Sequence, residues 1–140
     1  MKLQTATFLV GASCLVAMLS GCTSTASVFD SAEAETDSPP ASVVPSTSMV
    51  AGSSRLVGSF GDARYFAFQK NTGPGPRENC LLVVQSGGED FVASCSASGW
   101  VGAISPTLGE ARLYVDGVRE VSENQTKISN WVVVLSPPTS

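Results

Sequence analysis

Histidine is missing from the whole chain of 140 residues, and this absence excludes several kinds of active site. Without an imidazole there is no Ser-His-Asp or Cys-His catalysis, and most zinc sites lose their usual nitrogen ligand. Basic residues are also few, because the chain has 8 Lys and Arg against 12 Asp and Glu. They form no patch of the kind that nucleic-acid binding requires. We therefore exclude nucleic acid as a partner.

A long hydrophobic run is also missing. The most apolar stretch is residues 1–21, which Gln4, Thr5 and Ser13 interrupt, whereas a membrane span needs about 20 consecutive, predominantly apolar residues. The stretch has Lys2 before its apolar part and small residues at its end. This layout is typical of a secretory signal peptide, which is removed from the mature protein.

The four residues that close this stretch, Leu19-Ser20-Gly21-Cys22, resemble the lipobox of bacterial lipoproteins. The resemblance implies that the Cys22 thiol receives a diacylglyceryl group and that a lipoprotein signal peptidase cleaves before Cys22. Two acyl chains, at about 0.8 kcal/mol per buried methylene, hold a protein on a bilayer without a protein span. We therefore expect an extracytoplasmic protein that is lipid-anchored to the bacterial cell membrane through Cys22.

The segment after the lipobox, residues 22–50, is predicted to be a disordered tether. It is rich in Ser, Thr, Ala and Pro, with four acids and no base. Such a composition buries too little apolar surface to offset the entropy of ordering the chain. A flexible coil of this length spans on the order of 30 Å. The predicted organisation is a signal peptide (1–21), a lipidated tether (22–50) and one folded domain (51–140).

The folded domain is predicted to be all-β. Short runs of β-branched and aromatic residues alternate with Gly-rich turn signals, and no helical period is present. The first predicted hairpin joins residues 55–60 to residues 63–69 through Gly61-Asp62. Its register sets Gly58 opposite Tyr65, whose ring is expected to cover the glycine. Six or seven such strands indicate a small antiparallel sandwich or a partly open barrel.

A second hairpin and a disulfide support one another. Cleavage at the lipobox removes Cys14 and lipid occupies Cys22, so Cys80 and Cys95 remain as a pair in an oxidising compartment. If Gly87-Gly88 is a two-residue turn, Cys80 lies directly opposite Cys95. Directly opposed Cα atoms are about 4.5–5.5 Å apart, which a disulfide can bridge. We therefore predict a Cys80–Cys95 disulfide.

A third hairpin is predicted around the turn pair Asp116-Gly117. It joins residues 111–115 to residues 118–121, and its register sets Tyr114 against Arg119.

The last predicted strand, residues 130–135, is apolar on both faces, so we place it centrally in a sheet and assign Trp131 to the core. Trp100 lies in a loop-like stretch, and the sequence does not decide whether its side chain packs in the core or contacts a ligand. Rings on a rigid sheet bind flat apolar ligand faces at low entropic cost. The candidate ligand contacts are Trp100, Tyr114 and Arg119.

No catalytic residue, metal site or cofactor is predicted. The adjacent acids Glu89 and Asp90 are expected to point to opposite faces of a strand, so they cannot form one carboxylate site. We interpret them as residues that flank a turn. We expect a non-catalytic binding or interaction module whose partner is an envelope protein or a cell-wall ligand. The alternative is a small cell-wall hydrolase that uses carboxylates. That enzyme would need two acids in one cleft, about 5–5.5 Å or about 6.5–9.5 Å apart.

The order of strand and turn motifs over residues 55–135 carries a second resemblance. In sequence the motifs are Arg55-Leu56, Arg64-Tyr65-Phe66, Cys80-Leu81-Leu82-Val83, Cys95-Ser96, Val115-Asp116-Gly117-Val118 and Asn130-Trp131-Val132-Val133-Val134. They are similar to those of uncharacterised envelope lipoproteins of actinobacteria. That family implies an envelope location and has no assigned activity.

Overall fold

A computed structural model of the protein describes residues 26–43 and 48–139, and the predicted all-β class is confirmed. Two open antiparallel sheets of four strands each form a sandwich. The first sheet, in spatial order, contains β1 (Arg55–Phe60), β2 (Ala63–Lys70), β3 (Glu78–Gln85) and β4 (Phe91–Ser96). The second, in spatial order, contains β5 (Trp100–Ser105), β6 (Gly109–Tyr114), β8 (Val132–Ser136) and β7 (Thr126–Lys127). Within the described ranges no helix is long and apolar enough to cross a membrane.

The main core lies between the two sheets. Alternate residues along each strand point into it, because successive side chains of a strand face opposite sides. The fully buried members with the largest side chains are Tyr65, Leu81, Val83, Val101, Leu113 and Val132. Strand β3 is buried on both faces, since Leu82 and Val84 belong to a second apolar cluster on the outside of the first sheet.

The predicted disordered tether is corrected by the structure over its described part. Residues 26–43, which we call the strap, contain two short 3-10 turns, Glu35–Asp37 and Ala41–Val43, and pack against the sandwich. Val28 is 3% exposed in the core between the sheets, and Val43 is 3% exposed in the outer cluster. A few well-spaced apolar residues therefore fix a segment whose average composition is polar.

Polar contacts also hold the strap. Asp37 is 8% exposed, and its carboxylate accepts a hydrogen bond from the Leu56 N–H at 2.8 Å. The Asp37 carbonyl accepts one from the Ser54 hydroxyl at 2.5 Å, and the Arg55 Nε donates to the Ser31 carbonyl at 3.0 Å. The bonds of the Asp37 carboxylate and the Arg55 guanidinium involve a charged group, and such bonds stabilise a fold by about 1.5–3 kcal/mol each, so they add to the apolar burial.

The first predicted hairpin is confirmed. Strands β1 and β2 pair with Gly58 opposite Tyr65, and a register shift between Leu56 and Gly58 makes a bulge. The expected covering of Gly58 by the Tyr65 ring is wrong. Tyr65 is fully buried in the core, where burial raises the pKa of its hydroxyl, and the side chain over Gly58 is Ile128. A Cβ at Gly58 would lie 3.0 Å from the Ile128 Cδ1.

The disulfide hairpin is confirmed as well. Cys80 and Cys95 are paired residues of β3 and β4, joined by a disulfide with Cα atoms 4.1 Å apart. The turn is longer than the predicted two residues, because the last backbone pair is Gln85 with Asp90. Gly87-Gly88 lies at the centre of this loop, and Gly88 takes the left-handed conformation, φ 73°, that favours glycine.

The third predicted hairpin is wrong. A turn forms here, but its central residues are Val115 and Asp116, since the Gly117 N–H donates to the Tyr114 carbonyl at 3.1 Å, and residues 118–121 make no strand. Strand β6 instead pairs with β5 on one side and β8 on the other, so Tyr114 lies opposite Trp100 rather than Arg119. The apolar valines of β8 bury more surface beside β6 than a segment that carries Arg119 and Glu120 could.

The last predicted strand is confirmed in its central place, between β6 and β7. It begins at Val132 rather than at residue 130 and ends at Ser136, directly before Pro137-Pro138. Trp131, predicted as core, is partly buried and packs against the core from just outside the strand.

Strand direction gives the sandwich two ends. At the first, β6 ends and β5 and β8 begin, and the Val28 N–H donates to the Val115 carbonyl at 2.9 Å. Ala26 therefore lies at this end, which we call the proximal end. At the opposite, distal end are the β1–β2, β3–β4 and β5–β6 turns and the chain after β8. A strand of six residues separates the two ends by about 20 Å.

Candidate functional site

A cleft of about 330 Å³ opens at the distal end of the sandwich. Three turns and the C-terminal tail meet there, because each of them follows or precedes a strand that points toward this end. Its lining comes from both sheets and comprises Phe60, Gly61, Asp62, Ala63, Gln85, Asp90, Thr107, Leu108, Pro138 and Thr139.

Two carboxylates line this cleft. Asp62 is exposed in the β1–β2 turn, and its backbone carbonyl accepts hydrogen bonds from the Ser86 N–H and hydroxyl, each at 2.7 Å. These bonds tie the β1–β2 turn to the β3–β4 hairpin. The Asp90 carboxylate is half-buried and accepts a hydrogen bond from the Thr107 hydroxyl. That bond joins the first sheet to the second.

The floor of the cleft is apolar and its rim is polar. Ala63 and Leu108 are 1% and 4% exposed, while the Thr139 N–H donates to the Thr107 carbonyl at 2.9 Å and holds the C-terminal tail against the rim. Ionised carboxylates only accept hydrogen bonds, and no basic residue is among those that line the cleft. The arrangement suits a ligand that presents hydroxyl or ammonium donors on one side and an apolar face on the other.

The three predicted ligand contacts lie at the proximal end instead. Trp100 is 51% exposed, and the Arg112 guanidinium carbon lies 5.4 Å from the centre of its ring. Tyr114 is paired with Trp100 across the sheet. Tyr114 and Arg119 line a shallower cleft of about 230 Å³ together with Glu120. The structure therefore brings the three residues to one end of the sandwich, although not through the pairing that the sequence predicted.

The other residues singled out as sites in the sequence are three cysteines, of which Cys80 and Cys95 line neither cleft. Cys80 and Cys95 form a structural cross-link within the first sheet. Cys22 lies outside the described residues, so its lipidation stays a prediction. In residues 26–43 and 48–139 no group of three His, Cys, Asp or Glu side chains gathers that could hold a metal ion.

Sequence reasoning missed the distal cleft. The sequence predicts Asp62 in the turn of the first hairpin and Asp90 beside the turn of the second. No local spacing in the sequence indicates that the two carboxylates lie close together. The β2–β3 pairing of Ala63 with Gln85 is what brings the two turns together. That register could be found only by pairing the two hairpins in one sheet. Thr107 could not be found that way, since its position depends on how the sheets pack.

The chain was also compared with family models, curated proteins and solved structures, and none of them matches it.

Proposed function

We propose that this protein is a lipid-anchored envelope protein whose β domain is a non-catalytic binding module with its ligand site in the distal cleft. The lipobox resemblance of Leu19-Ser20-Gly21-Cys22 supports the lipid anchor and an extracytoplasmic location. The observation that carries the binding role is the cleft itself, in which Asp62 and Asp90 face a common opening above an apolar floor. The cleft lies at the end of the sandwich remote from Ala26, so it points away from the anchor.

The chemistry of the lining supports a cell-wall component as the ligand. Sugars and amine-bearing peptides present hydroxyl and ammonium donors, which carboxylates accept. The partly exposed side chains of Phe60 and Pro138 in the lining offer contact to the apolar face of such a group. Anionic ligands are disfavoured, because both charged residues that line the cleft are acidic.

The binding role is tested by sedimenting the detergent-solubilised protein with purified cell-wall glycan. Asp62→Asn and Asp90→Asn are each expected to weaken binding about tenfold, since a hydrogen bond to a charged group stabilises by about 1.5–3 kcal/mol. Glu123→Gln makes the same charge change on an exposed residue outside the cleft lining and should leave binding unchanged. Equal binding by all three variants, or no binding by the wild-type protein, would contradict the proposal.

The alternative of a small carboxylate hydrolase is favoured by one observation, the convergence of Asp62 and Asp90 on one cleft. Binding is better supported, because Asp62 is exposed to solvent and the Thr107 hydroxyl already donates to Asp90. A general acid in a glycosidase works from an apolar, water-poor position. Release of soluble fragments from the same glycan, abolished by Asp62→Asn and by Asp90→Asn, would favour the hydrolase.

A further inference from the structure

We infer that the proximal end of the sandwich is a membrane-contact surface, which lies on the bilayer that holds the Cys22 lipid. The inference rests on the proposed lipidation of Cys22. It goes beyond that proposal because a lipid anchor alone sets no orientation of the domain. It also replaces the long spacer that composition suggested with a domain that sits directly on the membrane.

The first support is the length of chain between the anchor and the fold. Only residues 23–25 lie between Cys22 and Ala26, and four residue steps reach at most about 14 Å. Ala26 itself lines a shallow cleft together with Trp131. Two residues later the chain is fixed, because Val28 is 3% exposed and its N–H bonds the Val115 carbonyl. A lipid on Cys22 therefore holds the proximal end within about 14 Å of the membrane surface.

The second support is a row of aromatic residues across this end. Trp100 is paired with Tyr114, and the Tyr114 N–H donates to the Trp131 carbonyl at 2.8 Å, so the three residues lie side by side at the ends of β5, β6 and β8. Trp100 is 51% exposed. Amphipathic Trp and Tyr rings are enriched at the headgroup level of membranes, where one side is apolar and the other wet.

The charges at this end indicate how the contact is made. Arg119 and Lys127 lie beside the row and the Arg112 guanidinium lies over the Trp100 ring, but Asp116 and Glu120 line the same clefts and Glu110 pairs with Arg112 at 3.6 Å. A mixed set of exposed charges gives little net attraction to an anionic surface and is screened by salt. We therefore expect the aromatic rings, rather than basic side chains, to make the contact, and we expect it to persist at high ionic strength.

The two tryptophans of the chain provide the test, because both belong to this row. In Trp131→Phe the remaining reporter is Trp100. The acylated variant is placed in phosphatidylcholine vesicles that contain lipids with a nitroxide on the headgroup. We expect the nitroxide to quench Trp100 fluorescence at least twofold, with little change between low and high salt.

A matched variant moves the reporter along the same strand. Trp100→Phe, Trp131→Phe and Ile104→Trp together place a single tryptophan on the same face of β5, where Ile104 is 72% exposed. The new reporter is about 13 Å farther toward the distal end and should be quenched far less. Because Trp131 packs against the core, both variants are expected to be somewhat less stable than the wild-type protein, and a single cooperative urea transition in each shows that the fold is intact.

The outcomes separate this inference from the lipid anchor. Intact mass and co-sedimentation with the vesicles first establish acylation, and failure at that stage would overturn the anchor and the inference with it. Acylated, vesicle-bound protein with an unquenched Trp100 would overturn the inference alone. The inference would also be overturned if Trp100 fluorescence changed with protein concentration and not with the nitroxide lipid. That result would assign the surface to a protein partner.

Discussion

A chain that begins at residue 51 is expected to lose about 5 kcal/mol or more of its free energy of unfolding, although only residues of tether-like composition are removed. Burial of a valine side chain stabilises by about 1.5–3 kcal/mol, and both Val28 and Val43 are 3% exposed. The charged hydrogen bond from the Leu56 N–H to Asp37 adds about 1.5–3 kcal/mol. Small domains have only about 5–15 kcal/mol in total.

The measurement is urea unfolding of that truncated chain beside a chain that begins at residue 26. The longer chain retains the whole strap and should unfold like the mature protein. Glu33→Ala and Glu35→Ala, which change exposed strap residues, serve as a control and should leave the urea midpoint unchanged. If the chain from residue 51 unfolds at the same urea concentration as the chain from residue 26, the strap does not stabilise the domain.

Replacing Cys80 and Cys95 by alanine together is expected to cost about 2–4 kcal/mol. The bridge closes a sequence separation of 15, for which loss of unfolded-state entropy predicts about 3 kcal/mol. Cys80 is also fully buried in the outer cluster with Phe66, Phe68 and Leu82, so truncation of its side chain removes packing there. Urea unfolding of oxidised protein, reduced protein and the double variant measures the effect.

If Cys22 carries the proposed lipid, the double variant should still bind the membrane, because Cys22 is a separate residue. Before reduction, the wild-type protein should show no labelling of these two thiols by a maleimide, and after reduction both should react. Free thiols at Cys80 and Cys95 in protein taken from the envelope would contradict the cross-link, and so would a double variant as stable as the wild type.

Sequence predicted the parts of the fold that depend on local chemistry. The Gly61-Asp62 turn sets the register of β1 with β2, and the positions of Cys80 and Cys95 set that of β3 with β4. In both hairpins the turn and the flanking strands are adjacent in the chain, so local signals fix the register near the turn, and in β1 a bulge between Leu56 and Gly58 shifts it farther along. The Asp116-Gly117 pair is equally strong as a local turn signal. Residues 118–121 nevertheless form no strand, and Val132–Ser136 pairs with β6 instead.

The strap and the distal cleft depend on contacts between distant parts of the chain. Composition gives residues 26–43 too little apolar surface for a core of their own, yet Val28 and Val43 enter cores that the strands supply. Asp90 meets Thr107 only once the two sheets have packed. Neither result follows from a local pattern, because each requires the tertiary arrangement first.

The proposed lipid on Cys22 underlies both the outward-facing cleft and the membrane-contact surface. The most direct measurement is the intact mass and N-terminal peptide mass of the protein extracted from membranes. We predict a mature chain that begins at Cys22 and carries a diacylglyceryl group on its thiol, and Cys22→Ala should abolish both the cleavage and the added mass. A membrane-extracted protein with residues 1–21 still attached and an unmodified Cys22 thiol would contradict the account.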